Sequence, residues 1–138
     1  MDIAVRRAER GDLQALGRIQ AASPEAAQWD VTGYLEYDCV VAVCGESIAG
    51  FAVARQVAQG ESELLNLAVD PAFRRQGVAR RLVGELRHGH PGTLWLEVRE
   101  TNLNARNLYK SLGFIEAGSR PSYYSDSGEG AIVMNVHS

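Results

Sequence analysis

The sequence predicts an α/β fold: one mixed sheet of six to seven strands flanked by about four helices. Three observations carry this. Short apolar runs of strand length alternate with helically spaced apolar stripes through the second half of the chain. The pair Gly45-Glu46 joins residues 40–44 to residues 48–57 as a hairpin, so antiparallel neighbours enter an otherwise alternating order. A chain of 138 residues, 46% hydrophobic, suits one core, and residues 1–138 are read as one domain.

The elements follow in order. Ile3-Ala4-Val5-Arg6 is a short strand, and Gly11-Asp12 offers an N-cap to a helix bearing Leu13, Leu16, Gly17 and Gln20. Pro24 ends that helix or begins the next. Residues 25–37, with Trp29, Tyr34, Leu35 and Tyr37, are a second helix candidate with a weaker pattern. The hairpin strands come next, then Gly60 and the strand 64–69, stopped by Asp70-Pro71. Gly77 opens a helix whose apolar stripe is Val78, Ala79, Leu82, Val83 and Leu86. A loop with Pro91 and Gly92 leads to the strand 94–98. Thr101 or Asn102 caps a helix carrying Ala105, Leu108, Tyr109 and Leu112, with Gly113 as its left-handed terminator. Strands at 114–118 and 131–136 complete the chain.

Composition excludes several functions. A net charge of −3 argues against general nucleic-acid binding. The basic residues are 13 Arg and one lysine, Lys110, in the context Tyr-Lys-Ser, which rules out a nucleotide P-loop. No apolar run reaches the ~18 residues of a membrane span, and charges at Asp2, Arg6, Arg7, Glu9, Arg10 and Asp12 break up any signal-peptide core. Cys39 and Cys44 stand an odd number of positions apart in a strand, hence on opposite faces, unbonded and reduced. A cytoplasmic location fits. His88 and His90 read as solvated loop histidines, and no metal site is expected.

Residues 67–80 carry the chemistry. A buried strand ends at Leu67-Ala68-Val69, a polar turn follows, and a helix begins at Gly77. Backbone N–H groups at a helix start point outward with the positive end of the helix dipole, which makes an anion site. Gly77 and Ala79 keep side-chain bulk away, and Arg74, Arg75, Arg80 and Arg81 gather four guanidiniums there. The other reading is an ordinary solvated helix start. A dinucleotide fingerprint is excluded by spacing, since Gly77-Val78-Ala79-Arg80-Arg81-Leu82 lacks its second and third glycines.

The run Arg74-Arg75-Gln76-Gly77-Val78-Ala79 resembles the Arg/Gln-x-x-Gly-x-Gly/Ala signature of the GCN5-related N-acetyltransferases. Leu67-Ala68-Val69-Asp70-Pro71, Leu94-Trp95-Leu96-Glu97-Val98-Arg99 and the stretch from Asn102 to Phe114 narrow the likeness. With Tyr123-Tyr124 and Ala131-Ile132-Val133-Met134, they look like the ribosomal-protein-alanine N-acetyltransferase branch, the RimI-like enzymes. The resemblance implies a single-domain fold with a twisted, mostly antiparallel sheet that splays between the strands at 64–69 and 94–98. It implies acetyl-CoA as cosubstrate, no metal, and direct transfer of acetyl to a primary amine. Its acetyl-CoA contacts fall on Leu67, Ala68, Val69, Arg74, Arg75, Gln76, Gly77, Val78, Ala79, Arg80 and Asn102. Its general base falls on Glu97 and its general acid on Tyr109.

The residues suit those roles. An α-amine with a pKa of about 7.7–8.0 must lose a proton to attack, and a carboxylate at the attack point can take it. Glu97 interrupts an apolar strand; its other reading is a surface carboxylate facing outward with Trp95. Tyr109 can protonate the departing thiolate, can pack as core on the stripe of Ala105 and Leu112, or can do both. A backbone N–H near residues 67–69 would polarise the acetyl carbonyl. The implied acceptor is a protein N-terminus, such as a ribosomal protein's alanine. Glu36, Asp38, Glu61, Glu63, Glu97 and Glu100 either line an acidic approach to it or are scattered solvated carboxylates. A small free amine as acceptor, or a non-catalytic acetyl-CoA-binding module, are the alternatives. No nucleic acid or membrane partner is expected.

Overall fold

The chain's computed structural model describes residues 2–124 and 126–137. One seven-stranded sheet runs through it, with the strands in the order β1 (Ala4–Arg7), β2 (Asp38–Cys44), β3 (Ser47–Ala58), β4 (Glu61–Val69), β5 (Thr93–Arg99), β7 (Ala131–His137) and β6 (Ile115–Arg120). All neighbours are antiparallel except β4 and β5. The helices are α1 (Leu13–Ala21), α2 (Val78–Gly89) and α3 (Leu103–Ser111). Among the described residues none is long and apolar enough to cross a membrane.

Each face of the sheet has its own core. On one side, α2 and α3 deliver Val78, Leu82, Leu86, Ala105 and Tyr109 onto Leu64, Leu67, Leu94, Leu96 and Met134. On the other, α1 delivers Leu16 and Ile19 onto Val41, Phe51 and Val53. Strand alternation sends Cys39 to the second core and Cys44 to the first. Both thiols are free and buried, and burial pushes that of Cys39 up to about 12, which leaves it unreactive.

The parallel pair decides where a ligand can enter. β4 and β5 are in register only from Glu61–Glu63 against Thr93–Trp95, and beyond that they part. A bulge lies at this point: Leu64 pairs with Ala54 and Asn66 with Val53, leaving Leu65 extra. Bulges bend a strand and add twist, so β4 turns away while β5 stays paired with β7 along its length. Leu65 therefore packs towards the α1 core together with Ala68, while Leu64, Leu67 and Val69 point to the α2 and α3 side.

The structure revises four local readings. Residues 25–37 form an irregular loop followed by a 3-10 turn, Val31–Glu36, capped by the Asp30 side chain on Thr32 N–H. Asp12 precedes α1 but makes no side-chain cap. It accepts Arg6 in a bidentate pair at 2.8 and 3.0 Å, and Glu9 N–H at 2.8 Å, and these bonds hold its carboxyl below the usual range. His90 is no solvated loop residue: it meets Ser62 Oγ at 2.8 Å and Asp38 Oδ2 at 2.7 Å, tying the end of α2 to β4 and β2, while His88 lies exposed within α2. The strand expected at 114–118 runs instead from Ile115 to Arg120, because Phe114 turns inward against Tyr109, 5.6 Å between ring centroids.

Gly50 sets the height of α2 above the splayed part of β4. A Cβ there would lie 2.7 Å from Ala68 O, 3.2 Å from Val78 and 3.3 Å from Leu82. Because a backbone atom cannot rotate aside, Gly50→Ala is expected to cost about 1–3 kcal/mol. Urea denaturation checks this, and a midpoint equal to wild type would contradict it.

Candidate active site

The turn from β4 into α2 is wound by two residues of positive φ, Arg75 at 62° and Gly77 at 80°. Glycine takes this conformation freely, whereas Arg75 is held in it against its preference. Asp70 starts the turn by accepting Ala72 N–H at 2.9 Å. The first helical bond of α2 is Arg81 N–H to Gly77 O at 3.1 Å. The amides of Val78, Ala79 and Arg80 thus precede the helical ladder. Nothing stands within 4 Å of where a Gly77 Cβ would lie, so a ligand can reach the backbone.

A cavity of about 600 Å³ opens on this helix start, lined by Val69, Phe73, Arg74, Arg75, Gly77, Val78, Ala79 and Arg80. Asn104, Leu108 and Ser111 of α3, with Leu112 just after it, form its far wall, and Glu25 closes one side. Arg80 is pre-oriented by a bond to Ser111 O at 3.1 Å, and Arg74 pairs with Glu25 at 2.8 Å. Free amides, the guanidiniums of Arg74 and Arg80 and an open backbone fit a diphosphate, the part of acetyl-CoA expected here. Gln76 and Arg81 do not line this cavity, and neither do Leu67 and Ala68, which are buried in the sheet.

A second cavity of about 500 Å³ occupies the gap between β4 and β5. Leu64, Leu65 and Asn66 line one side; Leu96, Glu97, Val98 and Arg99 line the other; Asn102 and Tyr109 come from the α3 segment. Asp70 N–H donates to Ala49 O in β3, so alternation along β4 turns the backbone groups of Leu67 and Val69 into the gap. Leu67 N–H is taken there by Asn66 Oδ1 at 3.0 Å, and Val69 O accepts Ser23 Oγ at 3.3 Å. Val69 N–H is the remaining donor of that stretch for a carbonyl oxygen. Asn102, expected at the cofactor, lines this second cavity and caps α3 through Ala105 N–H at 3.1 Å.

Glu97 and Tyr109 both line the second cavity. Glu97 lies on the face of β5 opposite Leu94, Leu96 and Val98, with its side chain 19% exposed. Its carboxylate stands 3.4 Å from Arg120 and accepts the Tyr123 hydroxyl, and its charge drives that phenol's pKa up. Tyr109 is buried, without a hydrogen-bond partner for its hydroxyl among the described residues. Burial first, and the charge of Glu25 second, push its phenol well above the ordinary range. It stays protonated at neutral pH. Of the proposed acidic approach, Asp38, Glu61, Glu63, Glu97 and Glu100 each hold a partner already.

Sequence reasoning missed a polar cluster above the gap. Asn66 donates to Gln20 Oε1, to Tyr34 Oη and to Ala27 O, and accepts Ala27 N–H. Gln20 Nε2 donates to Trp29 O at 2.5 Å. The loop 24–29, which roofs the second cavity, is thereby sewn to β4 and α1. One signal was legible: Asn66 is the sole polar residue in the run Leu64-Leu65-Asn66-Leu67-Ala68-Val69.

The profile described as Acetyltransferase (GNAT) family matches residues 4–114. Over 93 residues the chain is 47% identical to the ribosomal protein bS18-alanine N-acetyltransferase of Escherichia coli (strain K12). That match covers 63% of this chain and 62% of the relative, less than two thirds of its length. Among solved structures, the ribosomal-protein-S18-alanine N-acetyltransferase from Escherichia coli has a TM-score of 0.76 at 34% identity, covering 98% of this chain and 93% of that one. Ard1 from Thermoplasma volcanium has a TM-score of 0.81 at 29% identity, covering 97% and 96%.

Proposed function

The chain belongs to the acetyltransferase (GNAT) family, and on that footing we propose that it transfers acetyl from acetyl-CoA to the α-amine of a protein N-terminus, such as a ribosomal protein's alanine. Residues 1–138 would then be one N-acetyltransferase domain. One observation carries the reading: a cavity on an arginine-flanked helix start adjoins a gap that a carboxylate and a protonated phenol both line. The likeness to the bS18-alanine enzymes is what supports an N-terminal alanine as acceptor.

In this reading the amine nitrogen attacks the thioester carbonyl carbon. Glu97 takes the proton that the nitrogen sheds, directly or through one water. The amine displaces Arg120 and Tyr123 from the carboxylate, and both are exposed enough to yield. Val69 N–H steadies the carbonyl oxygen as it gains charge. The carbon–sulfur bond then breaks, and Tyr109 gives its proton to the thiolate. Nothing in the scheme needs a metal or a covalent enzyme intermediate, and Cys39 and Cys44 lie in the cores away from the gap.

An acetyl-CoA assay against peptides of varied N-terminal residue, free amino acids, polyamines and aminoglycosides tests the acceptor. Acetylation of alanine-starting peptides is the expected result. Activity confined to the small amines would replace the acceptor class. Acetyl-CoA binding with no transfer to any of them would make the chain a binding module.

A further inference from the structure

Among the described residues, Glu25 alone lines both cavities. Its backbone is fixed: Asn102 Nδ2 donates to Glu25 O at 3.3 Å, and the two residues after it are held by Ser23 O and by Asn66. Its carboxylate, only 11% exposed in its ion pair, has one partner among the described residues, Arg74 at 2.8 Å. Arg74 is itself 41% exposed and lines the phosphate cavity. A rigid backbone carrying a side chain held by a single displaceable cation is a two-position element.

Resting on the acetyl-CoA reading above, we propose that Glu25 is a positioning residue that couples the two substrates. With the phosphate cavity empty, Arg74 holds the carboxylate on the cofactor side. A phosphate that engages Arg74 competes the carboxylate away, and Glu25 turns to the second cavity, where it receives the ammonium of the incoming amine beside Tyr109. Occupancy of one cavity therefore prepares the other, and by linkage the effect is reciprocal. The charge of Glu25 already reaches Tyr109, whose phenol it helps keep protonated. A carboxylate on this wall selects a cationic acceptor over a neutral one.

Calorimetric titration with CoA separates the possibilities. Removing the competitor for Arg74 in Glu25→Ala, with Glu25→Gln as the volume-conserving companion, is expected to tighten CoA about two- to fivefold, the range of a partly exposed ion pair. In steady state the same variants should raise the KM of an alanine-starting hexapeptide about tenfold while kcat changes far less, with Glu25→Asp recovering part of the loss. A role confined to folding would lower the melting temperature and leave this split unmade. CoA affinity that is unchanged or weaker in both variants overturns the coupling. Failure of the wild-type protein to bind CoA overturns the acetyltransferase reading instead.

Discussion

Reversing the charge at Arg75 and Arg80 together should weaken acetyl-CoA binding by more than a hundredfold and leave the fold intact. Both side chains are exposed on the wall of the first cavity. Arg80 is held in place by Ser111 O, and Arg75 makes no ion pair among the described residues, so each is available to an anion. A hydrogen bond to a charged group contributes about 1.5–3 kcal/mol, and glutamate adds repulsion to the loss. Two such changes exceed about 3 kcal/mol, which is more than two powers of ten in affinity. Calorimetry in low salt measures it, with a thermal melt as the control. Affinity equal to wild type would remove the phosphates from this helix start. Arg74 is the poorer choice for the test, since Glu25 already shares it.

For the chemical step, Glu97→Gln is expected to lower kcat by about a hundredfold or more, the usual worth of a positioned base, with acetyl-CoA affinity unchanged. The amide keeps the size and the contact with Tyr123 but cannot take a proton. Arg120, at the other end of the ion pair, is 56% exposed and loses little. Tyr109→Phe should slow turnover as well and keep the edge contact with Phe114. The sign of its pH dependence follows from burial. A phenol whose pKa is raised keeps its proton further into alkaline solution, so the acid is loaded throughout pH 6–9 and the Tyr109→Phe defect should be constant across that window. A wild-type rate for Glu97→Gln over the same window would take the base away from this strand. A wild-type rate for Tyr109→Phe across that window would return Tyr109 to packing alone.

Much of the fold could be read along the chain because its signals are local. The stripe from Val78 to Leu86, the cap at Asn102 and the stop at Gly113 are decided by neighbours within a turn or two. Much of the first cavity's lining was legible for the same reason, since Arg74, Arg75 and Gly77 through Arg80 stand almost side by side in the chain. Asp12 and His90 misled for the opposite reason. Their partners Arg6, Ser62 and Asp38 come from other strands, and no spacing along the chain announces them. Residues 25–37 misled because tight turns and side-chain bonds to Asn66 and Gln20, rather than an apolar stripe, shape that loop.

By itself the sequence determined the order of the strands and of the three α-helices, the arginine-flanked turn at Gly77, and Glu97 and Tyr109 as the residues to follow. Only the tertiary structure decided that Leu65 is a bulge, that β4 leaves β5 after Glu63, and that Glu25 stands between the two cavities. The division has a physical cause. Caps, turns and apolar periodicity act over a few residues and leave their pattern in the chain. A one-residue slip in strand register and an ion pair between Glu25 and Arg74 depend on segments that meet only when the sheet has closed.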